Sequence, residues 1–594
     1  MASNRSAPVE APLQVKPQAS PASSFAFFLI VAAVAAGIAW LLTTNPRTGL
    51  WQQGYDPLGH WWLSTATAAL PVLVLLGAMA ILRVKAHIAA CAGLLTALAV
   101  AIVIFHMPVR LALTAASYGG GYGLFPIFWI ILPVVYLYDL TVKAGTFVTL
   151  QESLANVTDD SRLQLLLIAF ALGAFFEGSA GFGTPVAVCG AILISLGFKP
   201  LQAAGLSLLA NTAPVAFGAL GIPIVALHGI TGFDLHLLSR TIATLLFLFC
   251  LLVPFWLVWA FAGFRAMLEV WPPILVASAT FACVQLAMAT FVGPSLVAVV
   301  AASATMIALV LFLRFWKPRR TLNAKLQQIG ARTTRQYDHH AGKVFRAWMP
   351  WLVLCAVLLV WGIPPFTSWL DTHSTLKFTV AGLHGIVDRM PPVVAKPAAE
   401  AAVFTFNWLT ATGTAITLAA LLAGLLLGFR PATLAREFLR TFFNVRYAMV
   451  TISAMMAIGY VTRYCGLDAT LGLAFARTGH LYPFFGTLIG WIGVASTGSD
   501  TSSNVLFGSL QVMTAQQIGV SPVLMASANS AGGVMGKMIS ASSIVVASTA
   551  TQNYGQEGSI LRFVFLHSLA LACLVGVLVY LMAYVYPFTA LLGR

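Results

Sequence analysis

The chain has 594 residues, of which 59% are hydrophobic and 8% charged, against roughly 25% charged in soluble domains. With a mean hydropathy of +0.90, it reads as a polytopic membrane protein, and water-soluble fold classes are excluded. The net charge of +15 does not point to nucleic acid, because the lysines and arginines lie in short loops between apolar runs, the pattern that encodes membrane topology. The seven cysteines are dispersed without CxxC or metal-ligand spacing, so neither a disulfide framework nor a metal site is expected.

Residues 1–24, rich in Pro, Ala and Ser, read as a disordered tail, and the apolar run 25–42 as an anchor helix. The loop 43–60 carries little net charge and, with Trp51, Trp61 and Trp62, suits an outer interface. Arg83 and Lys85 then mark an inner turn. A third span reaches about residue 105, and the glycine cluster that follows, SYGGGYG, argues against an ordinary helix interior. The fourth span, GLFPIFWIILPVVYLYDLTVKAG, returns inward, and 146–162 is a polar segment expected along the inner surface. Spans are predicted near 241–262, 273–292 and 295–313. The loop 314–348 carries nine Lys and Arg against one acid, Asp338, and is expected in the cytoplasm. A span at 349–364, a mixed-charge outer segment at 365–400, a run at 401–428, a second basic loop with Arg430, Arg436, Arg440 and Arg446, and a final span at 562–586 complete the pass.

Two stretches, 175–223 and 491–543, lie at membrane depth yet are broken by Gly, Ser, Thr, Asn and Pro. In hydrocarbon an unpaired backbone group costs several kcal/mol, so such breaks survive only where protein shields them or a watery cavity lies beside them. Gly145, Gly178, Pro200, Asn211 and Gly218 match Gly466, Gly498, Pro522, Asn529 and Gly536 at nearly constant separation. The segment before Lys143 runs outside to inside and that before Arg463 inside to outside, which makes the copies inverted. The expected fold is therefore an all-α polytopic membrane protein with about 12–14 transmembrane segments in two inverted-topology repeats, their cores at 124–226 and 447–545 within halves 25–313 and 349–594.

ANTAPVAFG (210–218) and ANSAGGVMG (528–536) each set an amide and a hydroxyl before a break. Half-helix ends there would offer N–H groups to a small carboxylate, although small residues also serve helix packing. In TGSDTSSN (497–504), Asp500 is a candidate proton site, and Glu177 in FFEGSAGFG is the equivalent acid of the first copy. An ionisable group inside a membrane is by default a functional hypothesis, while helix capping and a structural ion pair are the competing roles. Lys143, Arg463 and Lys537 are candidate substrate cations, since Arg grips carboxylates bidentately; each of the first two could equally anchor a helix end. No HExxH or GxSxG pattern suggests an enzyme.

GAFFEGSAGFGTP, LLANTAPVAFGALGIPI, GSDTSSN and GGVMGKMIS, with GLFPIFWI and YLYDLTVKAG, resemble the bacterial L-lactate permease family from about residue 45 to the C-terminus. The family is similar to the wider ion transporter superfamily, in which re-entrant hairpins and broken helices form the site. The resemblance implies a proton-coupled importer of L-lactate, glycolate and related 2-hydroxy acids in the bacterial inner membrane. Carried over by motif, Asn211, Thr212, Ser499, Thr501, Ser502, Asn504, Asn529 and Ser530 would bind substrate, with Asp500 among the matched polar positions. Glu177 and Lys537 lie inside matched motifs. Arg463 stands where the family pattern leads one to expect a small polar residue. Moving one anion inward against 100 mV costs about 2.3 kcal/mol, which one co-transported proton cancels. The expected partners are a small monocarboxylate, the proton and the lipid bilayer, with no cofactor, no nucleic acid, and a homodimer left open. A sodium-coupled carboxylate or dicarboxylate carrier is the alternative, because Ser, Asn and Thr oxygens also coordinate Na⁺.

Overall fold

The computed structural model of the chain describes residues 50–592 other than 81, 83, 148, 150–156, 180, 182, 323–340, 362–363, 395, 552 and 554–555. The expected tail 1–24, the anchor 25–42, much of the 146–162 segment and residues 323–340 of the basic loop lie outside them. Among the described residues eight helices are long and apolar enough to cross a membrane, or ten if each of two bent helix pairs is one span. The chain is an all-α polytopic membrane protein. Four further apolar stretches among the described residues, Trp61–Leu75, Thr184–Ile194, Thr412–Leu426 and Leu467–Ala476, form shorter helices.

In the first half, α1 (Ala86–Ala99) extends to Ile104. Next, α2 (Val109–Tyr122) and α3 (Trp129–Lys143) are joined by a kink at Phe125, φ −138° and ψ 123°. Pro126 follows it, and the residue before a proline avoids helical dihedrals. The glycine cluster, expected to interrupt a helix, lies at the end of α2, with Gly123 just past it: Gly119 and Gly123 press on Met456 and Ser453, where a Cβ would collide with backbone. The span Ser161–Ser179, 94% buried, ends in α4 (Gly173–Ser179) and turns into α5 (Thr184–Ser195). Then α6 (Pro200–Ala210) and α7 (Gly218–Thr231) form a pair bent by 64°. Spans Leu235–Ala262, Trp271–Phe291 and Val297–Phe315 follow, close to the predicted ranges.

The segment expected outside is not a plain loop. A short sheet has the order β1 (Trp51–Gln52), β3 (Val387–Arg389), β4 (Ala398–Ala399), with β1 parallel to β3 through Trp51↔Val387. A second pairs β2 (Leu376–Thr379) with β5 (Val403–Phe406), antiparallel, through Leu376↔Phe406. The predicted second basic loop is also different: Arg436, Arg440 and Arg446 lie inside α8 (Pro431–Cys465), a continuous 35-residue helix.

The second half continues with α9 (Leu467–Ala476), α10 (Tyr482–Thr497), α11 (Asp500–Ile518), α12 (Pro522–Gly536) and α13 (Ala541–Ala550). The pair Pro522–Ile539 and Ser542–Ala550 is bent by 44°. Each half thus carries a tight helix hairpin followed by a bent helix pair. The small residues of the second copy set its packing: Cβ atoms at Gly490, Gly532 and Gly536 would strike backbone of Asn529, Thr487 and Trp491, so α10 and α12 meet almost backbone to backbone.

Candidate functional site

The two breaks face one cavity of about 410 Å³, within the usual range of small-ligand sites, roughly 300–1,000 Å³. From the first half, Glu177, Gly181, Gly183, Gly218, Ala219, Ile222 and Pro223 line it; from the second, Thr497 to Ser502, Lys537, Ser542 and Ser543.

The first break is built from strained backbone. After α6, Thr212 Oγ1 turns back to donate to Leu209 O at 2.8 Å. Ala219 (φ 42°) and Leu220 (φ 59°) then take left-handed dihedrals, which cost a non-glycine residue roughly 1–2 kcal/mol each. Packing holds them there: Leu220 is fully buried, and Gly221 lies so close to Pro294 that a Cβ would collide. Glu177, 4% exposed, accepts a hydrogen bond at Oε2 from Asn211 Nδ2 at 3.0 Å. Gly218 supplies the space for its other oxygen, because a Cβ there would come within 2.7 Å of Oε1.

The second break is more densely bonded. Gly498 (φ 74°) closes α10 in the left-handed region, and Ser499 caps α11, its Oγ accepting from Ser502 N at 3.3 Å. Asp500, 3% exposed, accepts at Oδ2 from Ser530 Oγ at 2.5 Å and from Asn504 Nδ2 at 3.3 Å. Asn504 Nδ2 also donates to Pro223 O of the first half at 3.2 Å. Behind it, Asn529 Nδ2 donates to Asn504 Oδ1 at 3.0 Å, Gln511 Nε2 to Asn529 Oδ1 at 3.2 Å, and the Tyr482 hydroxyl to Gln511 Oε1 at 2.9 Å. Lys537 Nζ donates to Gly498 O at 2.6 Å and lies within electrostatic reach of both Glu177 and Asp500. Among the described residues, Asp500 Oδ1 and Asn211 Oδ1 have no hydrogen-bond partner.

The predicted site residues therefore fall into three groups. Glu177, Ser499, Asp500, Thr501, Ser502 and Lys537 line the cavity. Asn211, Asn504, Asn529 and Ser530 stand behind it as hydrogen-bond partners of the two acids or of each other, while Thr212 bonds only its own helix end. Lys143 and Arg463 are elsewhere. Lys143 pairs with Glu437, and Arg463 donates to Ile230 O at 2.9 Å and Glu400 Oε2 at 3.3 Å, tying the segment after β4 to α7 and α8. Lys143 ends α3 and Arg463 lies in the last turn of α8, and neither lines the cavity.

Sequence reasoning missed Gln511 and Tyr482, the cavity-lining Ser542 and Ser543, and His87 and Tyr447 on the opposite wall. An amide in the middle of apolar α11 was the available signal for Gln511. Among the described residues no group of three or more His, Cys, Asp or Glu side chains is placed to hold a metal ion.

Residues 64–586 match the family described as L-lactate permease. The chain is similar to the L-lactate permease of Escherichia coli (strain K12), 44% identical over 90% of this chain and 98% of that protein. It is also similar to the glycolate permease GlcA of the same strain, 42% identical over 90% and 98%, and to the L-lactate permease of Bacillus subtilis (strain 168), 41% identical over 90% and 99%. With a match across most of its length and relatives at this identity, the chain belongs to the L-lactate permease family.

Proposed function

We propose that the protein is a secondary active carrier that imports L-lactate, together with glycolate and related 2-hydroxy monocarboxylates, across the bacterial inner membrane in symport with protons. The observation that carries this reading is the shared cavity: two buried carboxylates and one ammonium, contributed by two broken helical elements, meet in one space.

In this reading the substrate carboxylate sits at the first turn of α11, where unpaired backbone N–H groups and the helix dipole favour an anion. Lys537 supplies the nearby positive charge, and the hydroxyls of Thr501 and Ser502 take the 2-hydroxyl group. Asn211, Asn504, Asn529 and Ser530 hold the two acids in position. Glu177 or Asp500 carries the coupling proton, because adding one proton to an incoming anion cancels its charge and removes the electrical cost of entry. The recurrence of hairpin and bent pair in both halves supports inverted repeats that expose the cavity alternately to the two sides.

Uptake of labelled L-lactate into proteoliposomes, driven first by an inward proton gradient and then by a sodium gradient, tests this. Accumulation with protons alone is the expected result. Uptake driven only by sodium would overturn the proton coupling, and transport of a dicarboxylate in place of lactate would overturn the substrate.

A further inference from the structure

The cavity has a second wall that the broken elements do not supply. It is made by α1, α3 and α8 and is apolar at Ile131, Ala448, Ile452 and Met455. Met455 and Tyr447 both line the cavity and are eight residues apart on α8, about 12 Å along its axis, so the space runs for two helical turns along that wall. On it His87 and Tyr447 stand together, their rings stacked at 4.6 Å between centroids and 27° between planes. The Arg446 guanidinium lies 4.9 Å from the Tyr447 ring centre and donates through Nη2 to the tyrosine hydroxyl at 3.5 Å. Lys85, two residues before His87, is within electrostatic reach of the same hydroxyl. Tyr447 is 50% exposed. One end of the cavity is therefore acidic and buried, while the other is aromatic, partly open and backed by two cations.

We infer that the stacked His87–Tyr447 pair is the inner port of the cavity, a substrate-contacting station where a small carboxylate pauses on its way to the cytoplasm. The inference rests on the carrier reading above. The basic residues mark this end as cytoplasmic, because Lys and Arg accumulate on that side of membrane proteins. An anion leaving the neighbourhood of Glu177 and Asp500 moves down the electrostatic gradient toward Arg446 and Lys85. The two rings present polar atoms of this wall to it, the imidazole nitrogens and the phenol hydroxyl, with the Thr451 hydroxyl one turn along α8, and these bond carboxylate oxygens. The pair thus sets the half-saturation for substrate on the inner face, separately from the site between the breaks.

The experiment is sided exchange of labelled L-lactate in proteoliposomes of known orientation, comparing the parent protein with His87→Ala and Tyr447→Ala. The expected result is a rise on the order of tenfold in half-saturation at the face bearing Lys85 and Arg446, about the factor one charged hydrogen bond is worth, with less than about twofold change at the opposite face. Equal changes at both faces, or none at the basic face, overturn the port. Should the alanine variants fail to insert, Tyr447→Cys labelled by a membrane-impermeant thiol reagent, read above the background of the parent's own cysteines, gives a second readout. Labelling from the basic face that L-lactate slows supports the port; labelling from the other face only, or without protection by L-lactate, overturns it. A parent protein that exchanges neither lactate nor glycolate overturns the carrier reading itself, which is a separate outcome.

Discussion

The two halves bring an acid to the same cavity by opposite means. Glu177 accepts a hydrogen bond from Asn211 at 3.0 Å and lies beside a break held in left-handed backbone. Asp500 accepts two, and the amides behind it form a chain through Asn504, Asn529 and Gln511 to Tyr482. The amides of this chain are each bonded on both sides, which holds them in one geometry and leaves Asp500 Oδ1 unbonded among the described residues, so the second half is the preorganised side of the site. Strain relieved by a change of backbone makes the first half the side suited to move. The glycines follow the same division: Gly490, Gly532 and Gly536 weld α10 to α12, whereas Gly218 leaves room for the Glu177 carboxyl.

Asp500→Asn gives the sharpest test of this asymmetry. Loss of proton-driven accumulation with retained lactate exchange is expected if Asp500 carries the proton; normal accumulation would transfer that role to Glu177. Next in size is Gly490→Ala, whose Cβ would strike Asn529 backbone. Overpacking of this kind costs about 1–3 kcal/mol, and thermal unfolding in detergent should show a lower midpoint. Gln511→Ala strands Asn529 Oδ1 in the interior and takes one donor from Gly486 O, while the Tyr482 hydroxyl keeps Thr514, at about 1–3 kcal/mol for each unpaired group. The same unfolding assay should show destabilisation, and a wild-type midpoint would mean that the chain of amides is not rigid.

Asn211→Ala leaves the buried Glu177 Oε2 without its donor, and should raise the half-saturation for lactate by roughly fivefold or more while lowering the unfolding midpoint by the equivalent of about 1–3 kcal/mol. An unchanged half-saturation would reduce Asn211 to packing. The smallest effect belongs to Lys143→Ala. Its ammonium is paired with Glu437 and its side chain is 41% exposed, so a change of about 1 kcal/mol or less in stability is expected, with half-saturation within about twofold. A large kinetic defect there would return Lys143 to the substrate path.

Much of the site was legible because a membrane makes polar residues and helix breakers conspicuous. Glu177, Asp500, Lys537 and the Ser/Thr run at 499–502 all stood out against apolar surroundings, and all line the cavity. What the chain alone did not carry is which cations meet the acids. Lys143 and Arg463 occupy matched positions in the sequence, but their partners, Glu437 and Glu400, lie 294 and 63 residues away. His87 and Tyr447 drew no reading of their own for a different reason: they lie beside Lys85 and Arg446, whose charge marks topology. The strands escaped because each is two to four residues long, too short for alternation to register.

The left-handed pair Ala219–Leu220 has a consequence for the whole conformational cycle. At about 1 kcal/mol for each residue, the lower end of the usual cost, the break holds some 2 kcal/mol in the state described here, equivalent to a factor of roughly thirty in population. Any other state that straightens the backbone between α6 and α7 regains that factor. The bent state must then owe its occupancy to contacts made only when the chain is bent, such as those of Gly221 with Pro294 and of Asn504 with Pro223. Ala219 and Leu220 thereby act as a counterweight, and replacing either with glycine lightens it without touching a polar group.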